Sequence, residues 1–185
     1  MKIIVITSPQ PVKDEALICN MLFAYGLERL HLRKPEAGED TYKNFIEQVE
    51  PRYRNRIVLH GHYHLAQQYR LCGIHLKSGQ GNEYTHYRQF RHISISCHSL
   101  EEIGGLPFTP EYCFLSPVFD SISKPGYKSR FKELPKPETL PVPIVALGGI
   151  TPDNLAICRE NHFYGAAVLG YIWEKPEEAI HRFLQ

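Results

Sequence analysis

The chain has 185 residues, 43% of them hydrophobic and 22% charged, which is enough apolar side chain for one soluble domain with a sizeable core. A net charge of +1, with Lys and Arg scattered along the sequence, excludes a nucleic-acid binder that works through a basic face. No apolar run reaches the length of a membrane span, and the run at Ile3–Ile6 is too short for a signal peptide, so a cytoplasmic location away from membranes is expected. Cys19, Cys72, Cys97, Cys113 and Cys158 form no CxxC pair and sit mostly in apolar runs, as reduced core residues do.

In chain order, Ile3–Ile6 reads as a first strand. A loop at Pro9–Pro11 follows, and then a helix with Ala16, Leu17, Met21, Leu22 and Tyr25 at helical spacing. Leu27–Arg33 is strand-like, and Tyr42, Phe45, Ile46 and Val49 form a second helical stripe. Arg56–His60 is a third strand with a short helix over Leu65–Tyr69 behind it, and Gly73–Leu76 is a fourth with little helical signal after it. Ile93–Cys97 leads into Ser99-Leu100-Glu101-Glu102, which has the form of a capping box, and Gly104-Gly105 stops that helix early. Tyr112–Ser116, Val142–Leu147 and Gly165–Leu169 complete eight strands, and a last helix from Pro176 carries Ala179, Ile180 and Phe183 inward.

Eight short apolar strands separated by mostly helical segments predict a parallel sheet with both faces covered. Eight is also the number that closes a barrel. The expectation is an α/β chain forming one (β/α)8 TIM barrel over residues 1–185, short, with trimmed crossover helices. The rival is an open doubly wound sheet, but the first strand leads to Ser8-Pro9-Gln10-Pro11 and not to a GxGxxG loop. Pro125–Pro143, rich in Pro, Lys and Glu, is a long loop after the sixth strand and is expected to lie over the site.

In such a barrel chemistry sits at the carboxyl ends of the strands. Those positions hold Thr7 and Ser8, His31 and Arg33, His60, His75 and Lys77, His98, Ser116, Gly148-Gly149 and Leu169-Gly170. The seventh of these ends is the most informative. Pro143–Leu147 runs into Gly148-Gly149 and then Thr151-Pro152-Asp153, a cap, a helix-starting proline and an acid in the first turn. Glycines there let a ligand oxygen approach backbone N–H groups, and the helix start favours negative charge. Gly165–Gly170 nearly repeats the pattern, so two adjacent strands predict a phosphate site at Gly148, Gly149, Leu169 and Gly170. His60, His62 and His64 alternate as metal ligands on one strand would, but the apolar run stops at Leu59, and no metal is expected from them.

The ordered set His31-Leu32-Arg33, Gly73-Ile74-His75-Leu76, Ser94–Glu102, Tyr112–Phe119 with Ser121-Ile122-Ser123-Lys124, and Val145–Ile150 resembles the thiamine phosphate synthase and TenI superfamily over nearly the whole chain. The resemblance implies a (β/α)8 barrel, a thiazole phosphate held by the seventh and eighth loops, and a role in thiamin biosynthesis. It also implies one of two chemistries. Synthases join hydroxymethylpyrimidine diphosphate to a thiazole phosphate with magnesium, held by an Asn-Asp pair after the third strand and an Asp after the fourth. Here those positions are His60-Gly61 and Gln80. Their Gln-x-Arg-x-Lys segment is His31-Leu32-Arg33-Lys34-Pro35, and their Thr-x-Thr-Lys segment is Ser121-Ile122-Ser123-Lys124.

TenI-type tautomerases move a proton without metal, and His98 matches the position implied for that acid/base role. On this resemblance the expected reaction is metal-independent thiazole tautomerisation with His98 as acid/base, and the alternative is a thiamine phosphate synthase. A paralogue that binds thiazole or thiamin phosphate without turnover is the remaining reading. Substrate contacts are expected from His31, Arg33, His60, Ser121, Ser123 and Lys124 as well as the glycines. No cofactor is expected for the tautomerase, and magnesium for the synthase. The partner is a small phosphorylated substrate, with a homodimer expected where trimmed helices leave faces exposed.

Overall fold

A computed structural model describes residues 1–120, 129, 131, 134–135, 137 and 140–184. Eight parallel strands close into a barrel in strict chain order: β1 (Lys2–Ile6), β2 (Arg29–Leu32), β3 (Ile57–Leu59), β4 (Gly73–Leu76), β5 (Ile93–Cys97), β6 (Cys113–Leu115), β7 (Ile144–Leu147) and β8 (Gly165–Val168). β8 pairs back onto β1, with Val5 opposite Val168. The outer layer is α1 (Glu15–Ala24), α2 (Glu39–Gln48), α3 (His64–Gln68), α4 (Leu100–Gly104), α5 (Leu155–Glu160), α6 (Gly170–Glu174) and α7 (Pro176–Leu184). The crossovers are trimmed as expected: α3 and α4 have five residues each, and a 3-10 stretch, Gly81–Tyr87, stands between β4 and β5. Just over half of the loop at 125–143 lies outside the described residues.

Period-two alternation divides the side chains of each strand between two cores. Val5, Leu30, Leu32, Ile57, Leu59, Ile74, Leu76, Ile95 and Cys97 pack under the helices, while Ile4, Ile6, Tyr112, Phe114, Val145 and Ala167 form a separate cluster inside the barrel. The interior is apolar on β6, β7, β8 and β1. On β2, β4 and β5 it is polar, holding His31, His75 and Ser94, all 1% exposed or less. α1 departs from the spacing seen in sequence: it buries Ala16, Cys19, Leu22 and Phe23, while Leu17, Met21 and Tyr25 are exposed. All five cysteines are free, and Cys72 accepts a hydrogen bond from Arg29. No helix among the described residues is long and apolar enough to cross a membrane.

The turn after β7 explains its glycines. Gly148 and Gly149 both have positive φ, +97° and +65°, and they lie against the segment leaving β6. A Cβ on Gly149 would stand 2.2 Å from the Asp120 carbonyl oxygen, and one on Gly148 would stand 2.9 Å from Pro117 Cα. Asn154 Nδ2 donates to the Gly149 carbonyl at 2.8 Å and its Oδ1 accepts from Thr151 N–H at 3.0 Å, fixing the turn into the 3-10 start of α5. Gly149→Ala is expected to destabilise the fold by about 2–4 kcal/mol, from collision plus left-handed backbone strain. Urea unfolding measures this, and a loss under 1 kcal/mol would mean the neighbouring segment yields freely.

Candidate functional site

A cleft of about 630 Å³ opens at the carboxyl ends of the strands, where the barrel predicts it. Its walls include Arg33, His60, Lys77, His98, Gly148, Gly149, Leu169 and Gly170, and Ile6 and Phe114 are among its apolar members. The structure therefore brings together most of the residues read from sequence. Ser121, Ser123 and Lys124 lie outside the described residues. His31 is the exception: it is fully buried and does not reach the cleft wall, because it sits on the same face of β2 as Arg33 but one layer deeper.

Around the rim, β1 and β2 are locked together. Thr7 Oγ1 accepts from Arg33 N–H at 2.8 Å and donates to the Arg33 carbonyl at 3.0 Å, which leaves the Arg33 side chain out of the scaffold. Lys34 pairs with Glu15 and donates to the Ser8 carbonyl at 2.7 Å, while Glu15 also accepts from Ser8 N–H at 2.9 Å. That buried pair belongs to the scaffold, so among the described residues of the cleft Arg33 and Lys77 are the cations left to meet a ligand. Both reach far enough electrostatically to disfavour a charge on His60.

His98 is set through its backbone N–H and through its ring. Ser99 caps α4 by accepting from Glu102 N–H at 3.1 Å, but Glu102 does not return to the cap residue as a capping box would. Its carboxylate accepts from His98 N–H at 2.7 Å and from the Ser78 hydroxyl at 2.6 Å, tying β5 to the loop after β4. The His98 ring holds Nδ1 2.9 Å from the Ser116 carbonyl, which can only accept. In the neutral ring Nδ1 therefore carries the proton and Nε2 the lone pair.

Below the cleft, residues on or next to five successive strands, β2 to β6, interlock. His31 Nδ1 lies 2.8 Å from His60 Nε2, and His31 Nε2 lies 2.6 Å from the Tyr112 hydroxyl. His75 reaches Ser94 Oγ through Nδ1 and Ser96 Oγ through Nε2, each at 2.8 Å. Burial holds the imidazoles of His31 and His75 well below their usual range and pushes His60 down to about 3. His92, deeper in the barrel, is likewise pushed to about 3 by burial and by Arg29, and its Nε2 has no hydrogen-bond partner among the described residues.

The alternating triplet read from sequence does not converge. His62 has φ +48° and bonds the Ala37 carbonyl at 3.1 Å, and His64 pairs with Glu39 at the surface. In the sequence His75 and Lys77 stand at strand ends with no mark of a binding role, and Ser96, Tyr112 and Phe114 carry no local mark of belonging to the site. Their signal was the shared inward parity of neighbouring strands.

Magnesium takes oxygen donors in near-octahedral geometry. At the positions implied for it stand the His60 imidazole, Gly61, and Gln80, whose amide accepts from Lys77 N–H at 2.9 Å and donates to Glu83 at 3.2 Å. Among the described residues lining the cleft, Glu36 is the one carboxylate. These residues do not fit a carboxylate-held magnesium site.

Fold and cleft together define a (β/α)8-barrel protein with a cationic wall facing glycine turns at the carboxyl end of its sheet. More narrowly, the chain belongs to the thiamine phosphate synthase and TenI family: the family model described as thiamine monophosphate synthase matches residues 3–172. A thiamine-phosphate synthase from Staphylococcus carnosus is 31% identical over 133 residues, covering 65% of this chain and 61% of that protein's length. The crystal structure of a thiamine phosphate pyrophosphorylase from Bacteroides thetaiotaomicron is 32% identical, covers 95% of this chain and 86% of its own, and superposes with a TM-score of 0.71. The thiamine phosphate pyrophosphorylase from Pyrococcus furiosus shares the fold, with a TM-score of 0.79 at 19% identity over 98% of this chain and 92% of that one.

Proposed function

We propose that this chain is a thiamine-biosynthesis enzyme acting on a thiazole phosphate, and that its reaction is that of a thiamine-phosphate synthase. The observation that carries the reading is a single cleft with two anion-directed ends, Arg33 and Lys77 on one side and the glycine turns after β7 and β8 on the other. The relatives named as synthases point the same way. The turns at Gly148-Gly149 and Leu169-Gly170 would hold the phosphate of the thiazole. The diphosphate of the pyrimidine would lie against Arg33 and Lys77. There the C–O bond breaks with its electron pair leaving on pyrophosphate, and the thiazole nitrogen lone pair forms the new C–N bond. Cations already in place stabilise the charge that develops on the leaving oxygen.

Tautomerisation is the second reading, favoured by His98 and by the missing magnesium carboxylates. With Nδ1 anchored on the Ser116 carbonyl, Nε2 would take and return a proton. A paired assay separates the two. One arm supplies hydroxymethylpyrimidine diphosphate and thiazole phosphate and follows pyrophosphate; the other supplies the carboxythiazole phosphate tautomer and follows aromatisation. Pyrophosphate release is expected, and His98→Asn is expected to slow it less than about tenfold. If aromatisation alone is seen and His98→Asn slows it by about a hundredfold or more, the synthase reading fails and the tautomerase stands. Silence in both arms with thiazole phosphate still bound would leave a non-catalytic binding protein.

A further inference from the structure

We propose that His31, His60 and His75 form a binding site for one transition-metal ion of the zinc class, with a further coordination position open to the cleft. One ring nitrogen from each residue lies within 4.8 Å of the others. Three neutral imidazoles from three adjacent strands are a donor set that suits zinc, copper, nickel or cobalt and not magnesium or calcium.

Two of the three outward nitrogens are already held, those of His31 and His75. His31 Nε2 is on the Tyr112 hydroxyl, and His75 Nδ1 is on Ser94 Oγ, whose own hydrogen points to the Ile74 carbonyl at 3.4 Å. Histidine ligands are oriented in this way by a hydrogen bond on the nitrogen that does not bind the metal. It leaves His31 Nδ1 facing His60 Nε2 and gives the lone pair of His75 to Nε2. Metal–nitrogen bonds of about 2.0–2.1 Å place tetrahedral ligands about 3.3 Å apart, so the 2.8 Å pair must part slightly and His75 must leave the Ser96 hydroxyl.

His60 and His75 both line the cleft, so an ion between them would present its open side to it. With Arg33 and Lys77 nearby, the matching ligand there is an anionic oxygen, of phosphate or of carboxylate class. The proposal stands on the geometry of the three rings and does not depend on which reaction the cleft performs.

Full-length protein, stripped with chelator and dialysed, is titrated with cobalt(II) and then zinc(II). One equivalent of cobalt is expected to give the intense visible bands of a low-coordinate imidazole complex, which zinc displaces and inorganic phosphate perturbs. His60→Ala is expected to weaken binding by more than about a hundredfold, beyond what loss of an orienting partner costs, and His64→Ala to leave it unchanged. Weak, pale bands of hydrated cobalt, or equal affinity in His60→Ala, would overturn the site. If phosphate leaves the spectrum unchanged, the open position does not face the cleft. Should His60→Ala not fold, imidazole nitrogen resonances of the parent decide: zinc must shift those of His31 and His75, and unmoved resonances refute the proposal. Failed turnover with cobalt still bound would count against the proposed reaction and not against the site.

Discussion

Replacing Arg33 by methionine is expected to lower kcat/KM for the diphosphate substrate by about a hundredfold to a thousandfold, the usual effect of removing one charge-stabilising donor from a preorganised site. The barrel should stay folded, because only the backbone of residue 33 is used structurally, in the pair of hydrogen bonds to Thr7. Methionine keeps the length and apolar stem of the side chain while removing the charge. Affinity for the thiazole phosphate should change much less, since the glycine turns lie across the cleft. Lys77→Met is expected to act in the same direction, and the double variant to show less than the product of the two losses, because both cations meet one leaving group. Steady-state kinetics with each substrate varied in turn is the measurement. A loss under threefold in Arg33→Met would remove Arg33 from the diphosphate end.

Acid is expected to unfold the metal-free protein near about pH 5, well above where carboxylate protonation alone would act. Four buried rings, His31, His60, His75 and His92, have folded pKa values depressed below the value near 6.5 that they regain on unfolding. The unfolded chain therefore binds more protons, so their contribution is intact above about pH 6.5 and is lost as pH falls toward the folded values. Each fully buried ring forfeits about 1.4 kcal/mol per pH unit in that window, and His60, half-buried at the cleft, somewhat less. Between about pH 6.5 and 5 the sum approaches the whole stability of an ordinary domain. Circular dichroism against pH gives the midpoint, and proton uptake on unfolding should amount to roughly three to four. His92→Phe should lower the midpoint and remove one proton, and it also deletes an unpartnered buried nitrogen. A transition confined below about pH 4 would show that the rings are not neutral and buried in solution.

Much of this protein was legible because its signals are local. Strand positions follow from short β-branched runs, and all eight were placed within a few residues. Trimmed crossovers followed from the weak helical pattern after Gly73–Leu76 and from the Gly104-Gly105 stop. Gly148-Gly149 was recognised as a special turn, although the sequence suggested ligand approach as the reason for glycine. The structure adds the closeness of Pro117 and Asp120. Ser99 was correctly read as a cap, whereas the use of Glu102 to hold His98 depended on where β5 ends relative to α4.

The sequence by itself determined the element order, the closed parallel barrel and the edge of the sheet where chemistry lies, because each rests on periodicity and turn chemistry within a few residues. What only the tertiary structure decided is which titratable side chains meet. Along the chain His60 alternates with His62 and His64, but the positive φ at His62 breaks that alternation, while barrel register sets His31 opposite Val58 and brings His60 and His75 to the same interior. Residues 29 and 44 positions apart become neighbours of His31 through strand pairing and inward parity. That juxtaposition is a property of the closed sheet and of no single stretch of sequence.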